Sequence, residues 1–413
     1  MSSREKIYKE FFRCNFMRVL VGIFEQLVPI SGGGTPRINS IINALVNRKH
    51  EVLVAASFAT DVESALRKLN CEKVFPLKNV SRLDKNKMKK YLFFHPLNIY
   101  KVIHEAIKFK PDLIITHNSI AGLAGLMAKK VTHGLAVVDM TDLIFEYLSY
   151  YDEHTWTSQI QRIGKKMENY VIQKSDKIIT ISKAMKKILI QKGAEPTKVN
   201  VIYDGVQTDI FEPRRKEAAM LRQKYADGVE NVVMHHGVID PQDQPEIIVD
   251  AAADVIKEHP NTMFWLIGDG AAIPSIKEKT RRKGLEKHFF ISGWVPFEEV
   301  PTFISACDVG LVTLPDISSA RIRVTLKAFE YWACEKPVVV SELPALKEIV
   351  TPGRTGLLYR PEDPEDLAKK ICILLEDKHT SKNMGRVGRE IVKNKYSWNK
   401  LATEFVTICE SMI

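Results

Sequence analysis

Two side chains three residues apart, Lys327 and Glu330 in the text K-A-F-E-Y-W-A, offer the first sign of chemistry. On a helix an i, i+3 pair shares one face, so this spacing presents an ammonium and a carboxylate side by side. The residues ahead of them are cationic. Arg321 and Arg323 close the polar stretch Asp316–Arg323, which leads to an expected helix start near Val324–Thr325. Free N–H groups and the helix dipole at such a start favour an anion. A cationic loop, a helix N-terminus, a Lys and a Glu one turn later suit a nucleotide's phosphates and ribose. Behind them, a turn at Glu335–Lys336 and the β-branched run opened by Pro337 read as a buried parallel strand.

Two further groups lie early in the chain. Gly32-Gly33-Gly34 joins a strand text to a helical run (Ile38–Asn47), and bare glycine backbone permits close approach of a phosphate or another ligand. It also serves as a plain structural turn, and it lacks the G-x-G-x-x-G spacing of dinucleotide binding. The strand texts 112–118 and 135–142 end in polar residues, which makes His117, Asn118, Thr141 and Asp142 site candidates, because open parallel sheets bind ligands at the carboxyl ends of their strands. His117 is as well read as a satisfied structural histidine, and Asp142 as a helix cap.

The elements that must position these residues alternate strand and helix throughout. From Arg18 the chain reads as a βαβ series to Gly205, passes the charged, proline-containing segment 206–215, and begins the alternation again at Asn231. The expected fold is α/β: two Rossmann-like doubly wound parallel-sheet domains facing each other across a cleft. The expected organisation is an extension over 1–16, a domain over 17–205, a linker over 206–215, a second domain over 216–397 and a final helical segment over 398–413. A length of 413 residues with 45% apolar and 27% charged residues suits two globular domains. The six cysteines are dispersed with no Cys-x-x-Cys, which argues against a disulfide framework or a zinc motif and for a reducing compartment. The N-terminus lacks an apolar core for a signal peptide, so a cytoplasmic protein is expected. His235 and His236, adjacent in a strand, point to opposite faces and would not share a metal.

Charge is uneven. Residues 1–205 hold 32 Lys+Arg against 19 Asp+Glu, a net +13, and residues 206–413 hold 28 against 31, a net −3, which together give +10. Within 82–110, eight cations interleave with Tyr91, Phe93, Phe94 and Tyr100. That mixture suits peripheral contact with an anionic membrane on its cytoplasmic face, or simply a solvated helix. No nucleic-acid module motif accompanies it, and nucleic acid is not an expected partner.

From Met17 onward the text resembles the retaining, nucleotide-sugar-dependent glycosyltransferases of the GT-B fold, family 4. The resemblance rests on Gly32-Gly33-Gly34, on 175–182, on V-I-Y-D-G-V (201–206) with Phe211-Glu212-Pro213, on Gly237, on L-I-G-D-G (266–270), on Gly293, on 330–339, on Glu348-Ile349-Val350 and on 353–358. It implies a donor site built from Gly33 and Gly34 of the first domain and Gly237, Gly268, Ser292, Gly293, Arg321, Arg323, Lys327 and Glu330 of the second. Glu330 matches the second Glu of the family's Glu-x7-Glu motif, which holds the ribose, and His117 matches the His that contacts the transferred sugar. The final segment 398–413 would cross back to the first domain. The partners implied are a nucleotide-diphosphate sugar and an acceptor hydroxyl on a glycan or a lipid phosphate, with no metal and no cofactor.

The departures concentrate on the donor. The motif's first Glu falls on Ile322, and the family's phosphate-binding Arg and Lys fall on Val238 and Asp243. One branch of the family writes Lys-Leu-Phe-Glu-Tyr-Met-Ala at this place, and by that resemblance Lys327 takes the diphosphate. His117, Lys327 and Asp142 are then the expected catalytic residues. Same-face transfer with retention is expected, since Asp142 and Glu146 give no sign of a paired double-displacement site. The rival readings are a degenerate relative that binds a nucleotide-sugar or a membrane without catalysis, and a sugar-nucleotide epimerase.

Overall fold

The structure, a computed structural model, describes residues 16–28, 34–58, 61–78, 87–147 and 155–413. They form two compact units: one runs to Thr180 and adds Leu189–Ile202 and Ala402–Ile413, and the other comprises Ile181–Ile188 and Tyr203–Leu401. Each is a parallel sheet with helices on its faces.

The first sheet is built from β1 (Arg18–Val28), β2 (Glu51–Phe58), β3 (Lys73–Pro76), β4 (Leu113–His117), β5 (Leu135–Met140), β6 (Lys177–Thr180) and β7 (Val199–Val201). Its order is β3-β2-β1-β4-β5-β6-β7. The second contains β8 (Asn231–His236), β9 (Thr262–Ile267), β10 (Phe289–Ile291), β11 (Val309–Val312), β12 (Val338–Ser341) and β13 (Gly356–Tyr359), in the order β10-β9-β8-β11-β12-β13. In both, the chain lays strands outward to one side and then returns to the other. The return leaves a crevice beyond the strand ends between β1 and β4 and between β8 and β11, the place where doubly wound sheets bind ligands.

The strand texts fit burial on both faces. Every residue of β4, β8 and β12 is buried. Two apolar clusters flank the second sheet, one around Trp265, Phe329 and Trp332, the other around Ile248, Phe264 and Leu367. Phe211, within the expected linker, is buried in the first of these. The helix Leu326–Ala333 is held by its aromatic residues: Tyr331 Oη donates to Met234 O at 2.6 Å, and Trp332 Nε1 donates to Thr355 O at 2.8 Å. Buried rings with satisfied polar tips fix both the position and the rotation of the helix.

Several boundaries differ from the sequence reading. The helix after β1 starts at Gly34 instead of Ile38, so Gly34 belongs to a helical turn and not to a loop. Gly33 lies outside the described residues, as do Gly32 and the basic positions 82–86. The polar stretch 316–323 contains a short helix, Ser318–Arg321. β3 was not anticipated because four residues are too few to show an alternating pattern, and Pro76 suits only an edge strand. The helix Trp398–Glu410 reaches the first unit from Ala402 on, and there Glu410 pairs with Arg48 and with His50 at 3.1 Å. Among the described residues no helix is long and apolar enough to cross a membrane. The five described cysteines are unbridged and buried.

Because Trp332 anchors the site helix from the core, Trp332→Ala is expected to lower unfolding free energy by about 3–5 kcal/mol in urea titration.

Candidate active site

At the switch point of the second sheet, backbone packs on backbone. β8 runs into Gly237 with φ +104°, and β9 into Gly268 with φ +139°. A Cβ on Gly268 would stand 1.9 Å from Gly237 O, and one on Gly237 would stand 3.2 Å from Lys327 Cε. Gly268 therefore requires glycine for conformation and for space, and Gly237 for conformation, with the flexible Lys327 stem against it. Ser292 and Gly293 follow β10 and brace this turn: the Gly268 N–H donates to Ser292 Oγ at 3.1 Å, and that hydroxyl donates to Gly293 O at 2.7 Å. Of the residues predicted for this site, Gly237, Gly268, Ser292 and Gly293 thus pack on one another, with Gly237 against Lys327, whereas Gly34 lies in the first unit.

Lys327 and Arg323 converge on one carboxylate. Lys327 Nζ lies 2.7 Å from Asp243 Oδ2, and Arg323 Nη2 lies 2.6 Å from Asp243 Oδ1. Asp243 ends the 3-10 turn after β8, is buried, and accepts Thr313 Oγ1 on its backbone O at 2.8 Å. Burial alone would raise its pKa, but the charges of Lys327 and then Arg323 outweigh that and hold it well below the usual carboxylate range. Three charges sum to +1, so the cluster remains cationic and pre-oriented. Arg321, placed with them by the sequence, turns away and pairs with Asp316 at the surface, Nη2 to Oδ2 2.9 Å. The intervening short helix rotates it out of the group.

Glu330, one turn after Lys327, meets a different partner. Its Oε2 lies 2.7 Å from His236 Nε2, and the imidazole stands edge-on to Tyr331 with ring centroids 4.7 Å apart. His235 faces the other way and is buried. Burial first, and then the charge of Lys327, push it down to about 3, so it is neutral at physiological pH. Ile322, where the first motif Glu was expected, is buried, and its carbonyl accepts Ser182 Oγ at 2.7 Å.

The first sheet buries a second charged cluster at its own switch point. In the parallel register His117 of β4 stands opposite Asp139 of β5, and His117 Nδ1 lies 3.1 Å from Asp139 Oδ2. Arg37, on the helix after β1, donates to the same carboxylate through Nε at 2.9 Å and Nη2 at 2.8 Å, and donates through Nη1 to Ile202 O at 3.1 Å. All three side chains are buried. Burial would raise the Asp139 pKa, but Arg37 and His117 outweigh it and bring it to about 2. An ionised carboxylate only accepts, so Nδ1 of His117 carries a proton, and Nε2 lies 3.4 Å from Thr141 Oγ1. Asn118 Oδ1 accepts the N–H groups of Thr141 (2.9 Å) and Asp142 (3.1 Å), which fixes the loop that carries Asp142. The side chain of Glu146 lies outside what is described.

Two family models meet this chain, "Glycosyltransferase Family 4" over residues 31–210 and "Glycosyl transferases group 1" over residues 230–377. Between them they cover β2 to β7 of the first sheet and all of the second. The chain belongs to the GT-B glycosyltransferases of family 4 type. It is 28% identical over 377 residues to the uncharacterized glycosyltransferase MJ1178 of Methanocaldococcus jannaschii, covering 90% of this chain and 92% of that protein. Among solved structures it is similar to sucrose-phosphate synthase of Thermosynechococcus elongatus, with TM-score 0.79, 20% identity and coverage of 95% and 98%. It is also similar to Anabaena HepE crystallised with UDP, with TM-score 0.75, 19% identity and coverage of 95% and 99%. These likenesses are of fold.

In this glycosyltransferase, sequence reasoning missed four residues: Asp243, His236, Arg37 and Asp139. Asp139 left a trace, as a charge inside the apolar strand text L-A-V-V-D-M. Asp243 looked like the loss of a cation, because nothing local shows that two distant cations close on it.

Since Asp139 has a folded pKa below its ordinary 3.8, its stabilisation is complete above that value and is lost as pH falls through about 2. Asp139→Asn is expected to cost about 3–5 kcal/mol at pH 7, because it strands a buried Arg37. Urea titrations between pH 6 and pH 3 are expected to show a shallower acid dependence in the variant than in the wild type.

Proposed function

We propose that this glycosyltransferase moves a sugar from a nucleotide-diphosphate sugar to an acceptor hydroxyl with retention of anomeric configuration and without a metal ion. The observation that carries the reading is the pair of cations, Arg323 and Lys327, fixed on buried Asp243 at the switch point of the second sheet, with Glu330 one helical turn away. Such a pair suits the diphosphate. Lys327 and Arg323 would stabilise the negative charge that grows on the leaving group, and their hold on Asp243 means that no reorganisation is needed at that moment. Glu330, oriented by His236, is the partner for the ribose hydroxyls. Solved HepE complexes contain UDP and UDP-glucose, which supports a nucleotide-sugar donor.

His117 is assigned to the transferred sugar through Nε2, with its tautomer set by Asp139, and Asp142 to the same sugar's surroundings. The acceptor is assigned to the first unit. The basic character of its half of the chain, and the exposed Tyr100 on the helix Lys87–Phe109, support a glycan or lipid-phosphate acceptor met on the cytoplasmic face of a membrane.

One observation favours a second reading, binding without transfer: Asp243 offsets one of the two positive charges on which the donor depends.

Lys327→Ala is expected to raise the Kd for UDP or GDP about ten- to a hundredfold in isothermal titration, the loss of one charge-assisted hydrogen bond worth about 1.5–3 kcal/mol. An unchanged Kd would remove Lys327 from the donor site. In an anomer-resolved NMR assay of transfer from a UDP- or GDP-hexose, the product is expected to keep the donor's configuration. An inverted product would refute same-face transfer, and nucleotide binding with no product would favour the second reading.

A further inference from the structure

One group of metal-ligating side chains belongs to neither cluster described above. The helix Ile247–Glu258 ends at Glu258 with His259 as its C-cap, and Cys372 comes from the neighbouring helix Pro364–Glu376. One ligand atom from each of Glu258, His259 and Cys372 lies within 4.8 Å of the other two. Nε2 of His259 is buried and makes no hydrogen bond. A buried nitrogen without a partner is destabilising, and coordination would remove that penalty.

The surroundings favour a cation. The C-terminal end of the helix Ile247–Glu258 carries the negative pole of its dipole. Glu230 lies near enough to His259 for their charges to interact, and Lys378, bonded to Glu230 at 2.9 Å, is the opposing cation.

We propose that Glu258, His259 and Cys372 form a binding site for a zinc-type divalent transition-metal ion, with water as the fourth ligand. One thiolate, one imidazole and one carboxylate make a borderline-soft set suited to tetrahedral zinc. Bonds of about 2.0–2.3 Å place tetrahedral ligands about 3.3–3.8 Å apart. The three ligand atoms, all within 4.8 Å of one another, therefore need to close by at most about 1–1.5 Å. On binding, the metal–sulfur bond forms, the S–H bond breaks and its proton goes to solvent, so affinity falls as pH falls. The position is remote from the transfer site: His259 precedes β9 and Gly268 follows it, and six strand residues span about 20 Å. Bound metal would tie the helix Ile247–Glu258 to the helix Pro364–Glu376 as a structural clamp.

The test uses the full chain stripped with a chelator and titrated with Zn2+ against a chromophoric competitor. The wild type is expected to bind one equivalent, and Cys372→Ser, His259→Gln and Glu258→Gln each to weaken that binding at least tenfold. Cobalt loading is expected to give a thiolate-to-metal charge-transfer band in the wild type and none in Cys372→Ser. Glu258 is exposed, so Glu258→Gln reports on the metal even where the buried substitutions unfold the chain. The absence of a bound equivalent in the wild type, the absence of the cobalt band, or binding that survives Glu258→Gln overturns the proposal. The readout is metal content and does not depend on which donor or acceptor the enzyme uses.

Discussion

A carboxylate buried at the switch point of each sheet stays ionised only because hydrogen-bond donors from other elements, cations among them, close on it. Asp139 has Arg37 and His117; Asp243 has Arg323 and Lys327. An isolated buried carboxylate would be destabilising by several kcal/mol and would take up a proton, whereas a satisfied one ties the elements that contribute to it. In the first unit the tie joins β4, β5 and the helix after β1. In the second it joins the turn after β8, the segment after the short helix and the first turn of the helix Leu326–Ala333. Site and scaffold are therefore the same contacts.

The second constraint is steric. Gly268 and Gly237 bring two strand ends into backbone contact, and the Lys327 stem lies against Gly237. A side chain at Gly268 would spread the strand ends, and one at Gly237 would press on the Lys327 stem. Ser292 holds the third strand end to the same turn, its Oγ accepting the Gly268 N–H and donating to Gly293 O beside it. The site helix cannot slide to compensate, because Tyr331 and Trp332 are fixed in the core behind it.

Much of this architecture was legible in the amino-acid text. Buried parallel strands are written as apolar runs, as in L-I-I-T-H and N-V-V-M-H-H, and they recur with helical text between them, so a doubly wound α/β fold followed from pattern. The resemblance to family 4 glycosyltransferases led to Gly237, Gly268, Ser292, Gly293, Lys327 and Glu330, which do gather at one switch point. Arg321 was misplaced because a one-turn helix, too short to leave a periodic signal, turns it toward Asp316.

The sequence by itself determined the alternation of strands and helices in two domains and the helical spacing of Lys327 and Glu330, because these depend on periodicity and on neighbours along the chain. Tertiary structure alone decided the partners. Asp243 is 84 residues from Lys327, Asp139 is 102 from Arg37, and His236 is 94 from Glu330. Pairing across such distances is set by which strand ends the fold brings together, and no local pattern encodes it. The charge that read as a missing cation at position 243 is, once folded, the anion that orients the cations which remain.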